Sequence, residues 1–220
     1  MTDTRSLIDQ LAARAKPVKP LSSPMRRTVW WALMALAIVA GITVSYGARP
    51  GWLQDLAVPS AGIEWVASVL TGLLAAYAAF QVSVPGRSPS WAWLPLPAAL
   101  LWLAGLGLGC LRDVARLGRD AFAFQGASWE CAWAITLTSL PLGMLMLLMV
   151  RHAGVVRPAP TAMLTVLSAA ALSSAGVSLI HEGETALMLL VWHVGAVALL
   201  SALSSVFGRH LFSWIGYARR

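Results

Sequence analysis

Charge is scarce in this 220-residue chain: Asp, Glu, Lys and Arg make up 11% of it, against 58% hydrophobic residues. Globular domains average roughly a quarter charged and about half apolar. The balance excludes a cytosolic enzyme and a disordered regulator. Cysteine is scarce too, with two residues, too few for a disulfide-stapled scaffold but enough for one bridge or part of a metal site. There is no C-x-x-C and no close Cys/His ligand spacing, which argues against a tight zinc centre. No internal repeat and no low-complexity tract occurs. The formal charge of +7 does not make a nucleic-acid binder either, because the 16 basic residues are diluted among long apolar runs. That pattern fits loops facing an anionic leaflet.

What is present is length without polarity. A helix crosses a hydrocarbon core about 30 Å thick with roughly 20 apolar residues. Six stretches meet that measure: Thr28–Tyr46, Ile63–Val84, Trp91–Cys110, Cys131–Val150, Thr161–Ile180 and Leu187–Phe207. They lack the two-residue alternation of a barrel strand, so helices are the expected element. The expectation is an all-α polytopic membrane protein. Residues 1–27 form a tail with a short amphipathic helix, 28–207 a six-helix bundle, and 208–220 a basic C-terminal tail. Pro85-Gly86-Arg87-Ser88-Pro89 is a strong breaker between the second and third spans. Pro95, Pro97 and Pro141 fall inside spans, where a kink is expected. Gly105 and Gly109 make a small-xxx-small pair for close helix approach.

Basic residues on short loops set orientation. With six spans, twelve of the 16 Lys and Arg residues fall on the side of the termini. Both termini are therefore expected in the cytoplasm. The first span is too long, and its preceding tail too patterned, for a cleaved signal peptide. Trp30, Trp31, Trp91 and Trp93 sit at inner span ends and Trp52, Trp65, Trp129 and Trp133 near outer ends, as interfacial belts do.

Reactive side chains collect on the outer side. Glu64, Cys110, Cys131, His181 and His193 lie at outer span ends, with Ser128 and Glu130 beside them. His193 is about six residues into its span, roughly 9 Å deep, where an ionisable group is costly and a functional candidate. Its bland role is a hydrogen bond to backbone or to Glu64. The inner halves of the spans as drawn hold no Asp, Glu, His, Lys or Arg, which weighs against a transporter. Cys110 and Cys131 allow three readings: inert thiols, a disulfide in an oxidising compartment, or a sensing or soft-metal pair assisted by His181 or His193.

The N-terminal tail has its own pattern. From Asp3 to Lys16, Leu7, Ile8, Leu11 and Ala15 share one helical arc, while Arg5, Asp9 and Lys16 lie opposite. Ser6-Leu7-Ile8-Asp9 has the form of a capping box and Pro17 ends the helix. So short a helix is marginal alone in water and must dock on membrane, bundle or partner. Pro17, Pro20 and Pro24 make a stiff connector.

These features, with the segments Leu7–Ala12 and Pro17–Leu21, Ser83–Ser88, Gly107–Cys110, Ser128–Cys131, Ser139–Pro141 and Trp192-His193, resemble the NrsF family. That family comprises membrane-bound anti-sigma factors, negative regulators of the extracytoplasmic-function sigma factor σF. The resemblance covers nearly the whole chain. It implies six spans in the inner membrane and a cytoplasmic tail that holds a sigma factor inactive. It also implies a heavy-metal or oxidative stress signal sensed by outward cysteines, and Cys131, in Ser-Trp-x-Cys, inherits that role most directly. The family often carries a cysteine right after a histidine in the loop before the sixth span. Here the loop reads His181-Glu182-Gly183-Glu184, so no Cys131 bridge to it can form, and Cys110, His181 or Glu182 are the candidate substitutes.

The expected function is thus sequestration of a sigma factor by a non-enzymatic regulator. Leu7, Ile8 and Leu11 serve as apolar anchors, and Arg14 and Lys16 meet acidic surface. Signal sensing falls to Cys131, Cys110, His181, His193 and Glu182. No resident cofactor is expected beyond a transient soft metal ion on Cys131 and His181. Partners are the sigma factor and the bilayer, with no direct nucleic-acid contact and with self-association left open. The rival is a small membrane oxidoreductase using outer cysteines with quinone or outer histidines with haem.

Overall fold

Prolines and glycines set the helix ends. In a computed structural model the described residues are 3–14, 21–118, 120, 127–151, 155, 157–180, 195 and 199, with backbone alone described at 127–132 and 135. Among them are helices and no strand. Helix α1 is Thr4–Arg14. Helix α2, Pro24–Tyr46, opens with Ser23 accepting a hydrogen bond from the Arg26 amide at 3.4 Å and with proline in its first turn, where no amide is needed. It stops at Gly47, whose φ of 85° suits glycine. A six-residue helix, α3 (Trp52–Ala57), follows and turns into α4, Pro59–Val82. Gly86, at φ 81°, makes the expected turn after α4. Helices α5 (Leu96–Leu117), α6 (Ala127–Val150) and α7 (Pro158–Val177) complete the described bundle.

Four segments are long and apolar enough to cross a membrane: Pro24–Tyr46, Pro59–Val82, Pro89–Leu117 and Pro158–Val177. This is consistent with a membrane protein. In α6 the apolar stretch with described side chains is Thr136–Val150. The sixth expected span, Leu187–Phe207, lies outside the described residues except Gly195 and Leu199, both helical. The C-terminal tail expected over 208–220 also lies outside them.

Two local expectations are corrected. Pro95 and Pro97 do not kink a span: a 3-10 turn, Pro89–Trp93, precedes α5, Pro95 caps it and Pro97 sits in its first turn. A proline there costs no helix hydrogen bond. Pro141 is the one that stands within its helix, α6. At the N-terminus the cap is Asp3 rather than Ser6. The Asp3 carbonyl accepts from the Leu7 amide at 3.1 Å, and its carboxylate accepts from the Arg5 amide at 3.4 Å.

The centre of the bundle is the antiparallel pair α4 and α7, with α5 against α4, α6 against α7, and α2 touching α4, α6 and α7. Small residues let α4 and α7 approach: a Cβ on Gly72 would lie 2.7 Å from Leu172 Cγ. Hydroxyls and an indole stitch the seam. Ser168 donates to the Gly72 carbonyl at 2.6 Å, Ser68 to that of Ala171 at 2.8 Å, and Trp65 Nε1 to that of Ala175 at 3.0 Å. In lipid such packing and hydrogen bonding replace the hydrophobic drive between helices. The main core gathers Trp31, Phe80, Leu142, Met146 and Val150 toward the end where the arginines cluster, hereafter the basic end. A smaller cluster of Ala67, Trp102, Leu106 and Ala171 lies toward the far end.

Candidate functional site

The far end is built on the α2–α4 connection. Gly51, at φ 79°, turns the chain so that Arg49 and Asp55 meet, Nη2 to Oδ2 at 2.8 Å. The Arg49 amide also donates to the Leu179 carbonyl at 3.0 Å, fastening the connection to the end of α7. Arg112 Nη1 donates to Ser60 Oγ at 2.8 Å and ties α5 to the start of α4. Between these elements lies a cavity of about 210 Å³ whose walls include Arg49, Asp55, Glu64, Trp52, Trp65 and Trp102. Glu64 is half-buried where α5 comes closest: a Cβ on Gly105 would stand 3.1 Å from Glu64 Cγ. Gly105 thus does serve close approach. Among the described residues the Glu64 carboxylate has no hydrogen-bond or ion-pair partner.

The basic end holds a second polar centre. Arg27 is buried, with Nη2 donating to the Met149 carbonyl at 2.6 Å and the guanidinium 4.5 Å from the Phe80 ring centroid. The carbonyls of a helix's last turn lack intrahelical donors, and this arginine supplies one to α6 from another helix. Four residues on, Trp31 is fully buried and its indole donates to the Leu142 carbonyl at 3.4 Å. The two side chains share one face of α2 and hold two carbonyls on one face of α6. Counting Arg27 as a loop charge, and Trp31 as an interfacial anchor, is therefore corrected. Trp30 and Trp133 stay exposed, as anchors should. Trp91 instead packs edge-on against Tyr77, centroids 5.7 Å apart.

The sequence-nominated residues are spread over both ends. Leu7, Ile8, Leu11 and Arg14 all lie on α1, which has no buried residue. Lys16 lies outside the described residues. Cys110 is a half-buried free thiol on α5 and does not line the Glu64 cavity. Cys131 lies on the second turn of α6, its side chain outside the described residues, as are His181, Glu182 and His193. No group of three His, Cys, Asp or Glu that could hold a metal occurs among the described residues.

A family model described as NrsF, negative regulator of sigma F, matches residues 11–214. The chain belongs to the NrsF family. No curated protein and no solved structure matches it. Cys110, Cys131, His181, Glu182 and His193 fall inside the NrsF match, as do Leu11, Arg14 and Lys16, whereas Leu7 and Ile8 precede it. NrsF membership makes this a regulatory chain with a sigma factor as its partner.

Sequence reasoning missed Arg27, Arg49 and Trp102. The signal for Arg27 was the spacing Arg27, Trp31, Ala35, three positions on one helical face that are buried together. Arg49 could be read from Pro50-Gly51, a turn that brings it back to an acid six residues on.

Proposed function

We propose that the chain is a membrane-bound anti-sigma factor. It holds an extracytoplasmic-function sigma factor at the cytoplasmic face through α1 and releases it when a periplasmic metal or oxidative signal reaches the outer end. In this reading six spans cross the inner membrane, both termini are cytoplasmic, and the basic end faces inward.

The observation that carries the reading is α1 itself. It is an amphipathic helix with Leu7, Ile8 and Leu11 all exposed and no buried residue along its length, and the sequence joins it to α2 through a proline-rich connector. Such a face suits a groove on a partner. Arg14 and Lys16 add positive charge for an acidic surface. On the outer side Cys131 is the first candidate sensor, with Cys110, His181, His193 and Glu182 as its companions. A soft metal ion held transiently by Cys131 and His181 is one form the signal takes.

A route from sensor to tail follows the helices. Cys131 stands on α6, and the other half of α6 is gripped by Arg27 and Trp31 of α2, the helix that carries the tail. Pro141 lies between the two halves and removes one backbone bond, so the outer half of α6 can tilt without unwinding the inner half.

The test is co-purification of the sigma factor with the full chain and with a chain lacking residues 1–20. Capture by the full chain alone is expected. Equal capture by both forms defeats the assignment of the tail.

A further inference from the structure

Two cavities share a wall at the far end. The polar pocket around Glu64 adjoins a groove of about 580 Å³ between α2, α4 and α7, and Trp52, Trp65, Ala175 and Leu179 line both. Apart from Thr43 the groove is aliphatic along α2 from Val44 to Val29, a run of roughly 22 Å at 1.5 Å per residue. That exceeds half of a hydrocarbon core about 30 Å thick, so the groove accommodates a long alkyl chain lying along the bundle.

Three polar groups along this path have unused hydrogen-bonding capacity. The Glu64 carboxylate is unpartnered among the described residues. Arg49 spends Nη2 on Asp55, but its buried Nε has no partner among the described residues. Thr43 Oγ1, in the groove about one turn before the end of α2, is also buried without a partner among them. Buried polar groups are normally satisfied; Arg49 Nε and Thr43 Oγ1 are buried orphans, Glu64 is half-buried on the cavity wall, and each asks for a different complement. A carboxylate takes a cation, a guanidinium N–H takes an anion, and a hydroxyl donates to a carbonyl.

We infer that the far end holds one zwitterionic amine phospholipid. Its ammonium lies against Glu64 among the tryptophans, its phosphate by Arg49, an ester carbonyl near Thr43, and one acyl chain fills the groove between α2 and α4. Charge complementarity selects this occupant over a lipid without an amine. Indoles beside the carboxylate suit an organic ammonium, whereas a hard divalent ion wants six or more oxygens. The inference is independent of the anti-sigma reading, because lipid retention is measured without any sigma factor.

The experiment is native mass spectrometry of the full-length protein after exchange in detergent with equimolar phosphatidylethanolamine and phosphatidylglycerol. One phosphatidylethanolamine is expected to stay bound, preferred about tenfold over phosphatidylglycerol. Glu64→Gln, which changes one atom, is expected to bring the two lipids to near parity. Ala40→Trp, which fills the groove, should lower retention of both. Equal retention of the two lipids by the unaltered protein overturns the inference, as does a preference that survives Glu64→Gln. A Leu36→Cys chain that cross-links to a second copy while carrying no lipid shows the groove to be a contact between copies and also overturns it.

Discussion

Truncating the exposed face of α1 gives the sharpest test of how the chain engages its sigma factor. Leu7 and Leu11 are 50% and 63% exposed in the free helix, so docking has about half of each side chain left to bury. Full burial of a leucine contributes about 1.5–3 kcal/mol, and the remaining half therefore about 0.8–1.5 kcal/mol each. Leu7→Ala with Leu11→Ala removes most of that, about 1–2.5 kcal/mol, which is a rise of roughly 5- to 70-fold in Kd. Alanine is the strongest helix former, so the pair does not act by melting the helix. Arg5→Ala, on the opposite face, serves as the control and should move Kd less than about threefold. The assay is a fluorescence-anisotropy titration of labelled sigma factor against the full chain in nanodiscs at two salt concentrations. Affinity should fall with salt as Arg14 and Lys16 are screened. A double variant within about threefold of the parent, or a control that weakens binding equally, refutes the docking face.

Gly72→Ala should lower the thermal midpoint in detergent, since the new methyl meets Leu172 Cγ at 2.7 Å and the Ser168 carbonyl at 3.2 Å, an overpacking cost of about 1–3 kcal/mol. Gly107→Ala, with nothing within 4 Å, should instead hold or raise the midpoint by up to about 1 kcal/mol of helix propensity. Arg27→Ala removes a charged donor from the Met149 carbonyl and should cost about 1.5–3 kcal/mol, read as a lower midpoint together with altered sigma capture despite an intact tail. In intact cells a membrane-impermeant maleimide should label Cys131. A Ser23→Cys chain lacking the native cysteines should react only after permeabilisation, and the opposite pattern reverses the orientation.

The positions of four of the six drawn spans were legible because apolar runs of membrane length are hard to mistake. The drawn spans from Thr28, Ile63, Trp91 and Thr161 all fall on helices that qualify to cross a membrane. Their ends were less legible, since a proline reads as a breaker whether it kinks a helix or starts one. Pro95 and Pro97 start α5, and Pro24 extends α2 back over Arg26 and Arg27. That extension matters, because it turns a charge assigned to the loop into a buried contact. The far-end pocket was half legible. Glu64 stood out as an acid inside an apolar run, but nothing in one-dimensional order tells that three tryptophans from α3, α4 and α5 surround it. The periodicity of α1 places Leu7, Ile8 and Leu11 on one helical face, while its cap was misplaced because Ser6 and Asp3 are both good cap residues and only one can sit at the boundary.

The packing also says where a signal-driven change can lie on the anti-sigma reading. Helices α4 and α7 are joined by three hydrogen bonds from side chain to backbone and by a glycine contact that leaves no slack. Sliding one past the other gives up all of these at once, so this pair is the fixed frame. The α2–α6 contact uses the same kind of bond but carries fewer of them. It depends on Arg27 and Trp31 reaching two carbonyls beyond Pro141, and giving up both costs about 2–4 kcal/mol. On the proposed reading, a signal at Cys131 has to favour the alternative packing by a factor of about 30 to 1,000 to match that cost. The same arithmetic predicts that Arg27→Ala lowers the threshold, so the variant should release its sigma factor at a smaller dose of the inducing stress than the parent does. A reporter driven by the sigma factor checks this, and an unchanged dose response would place the switch elsewhere in the bundle.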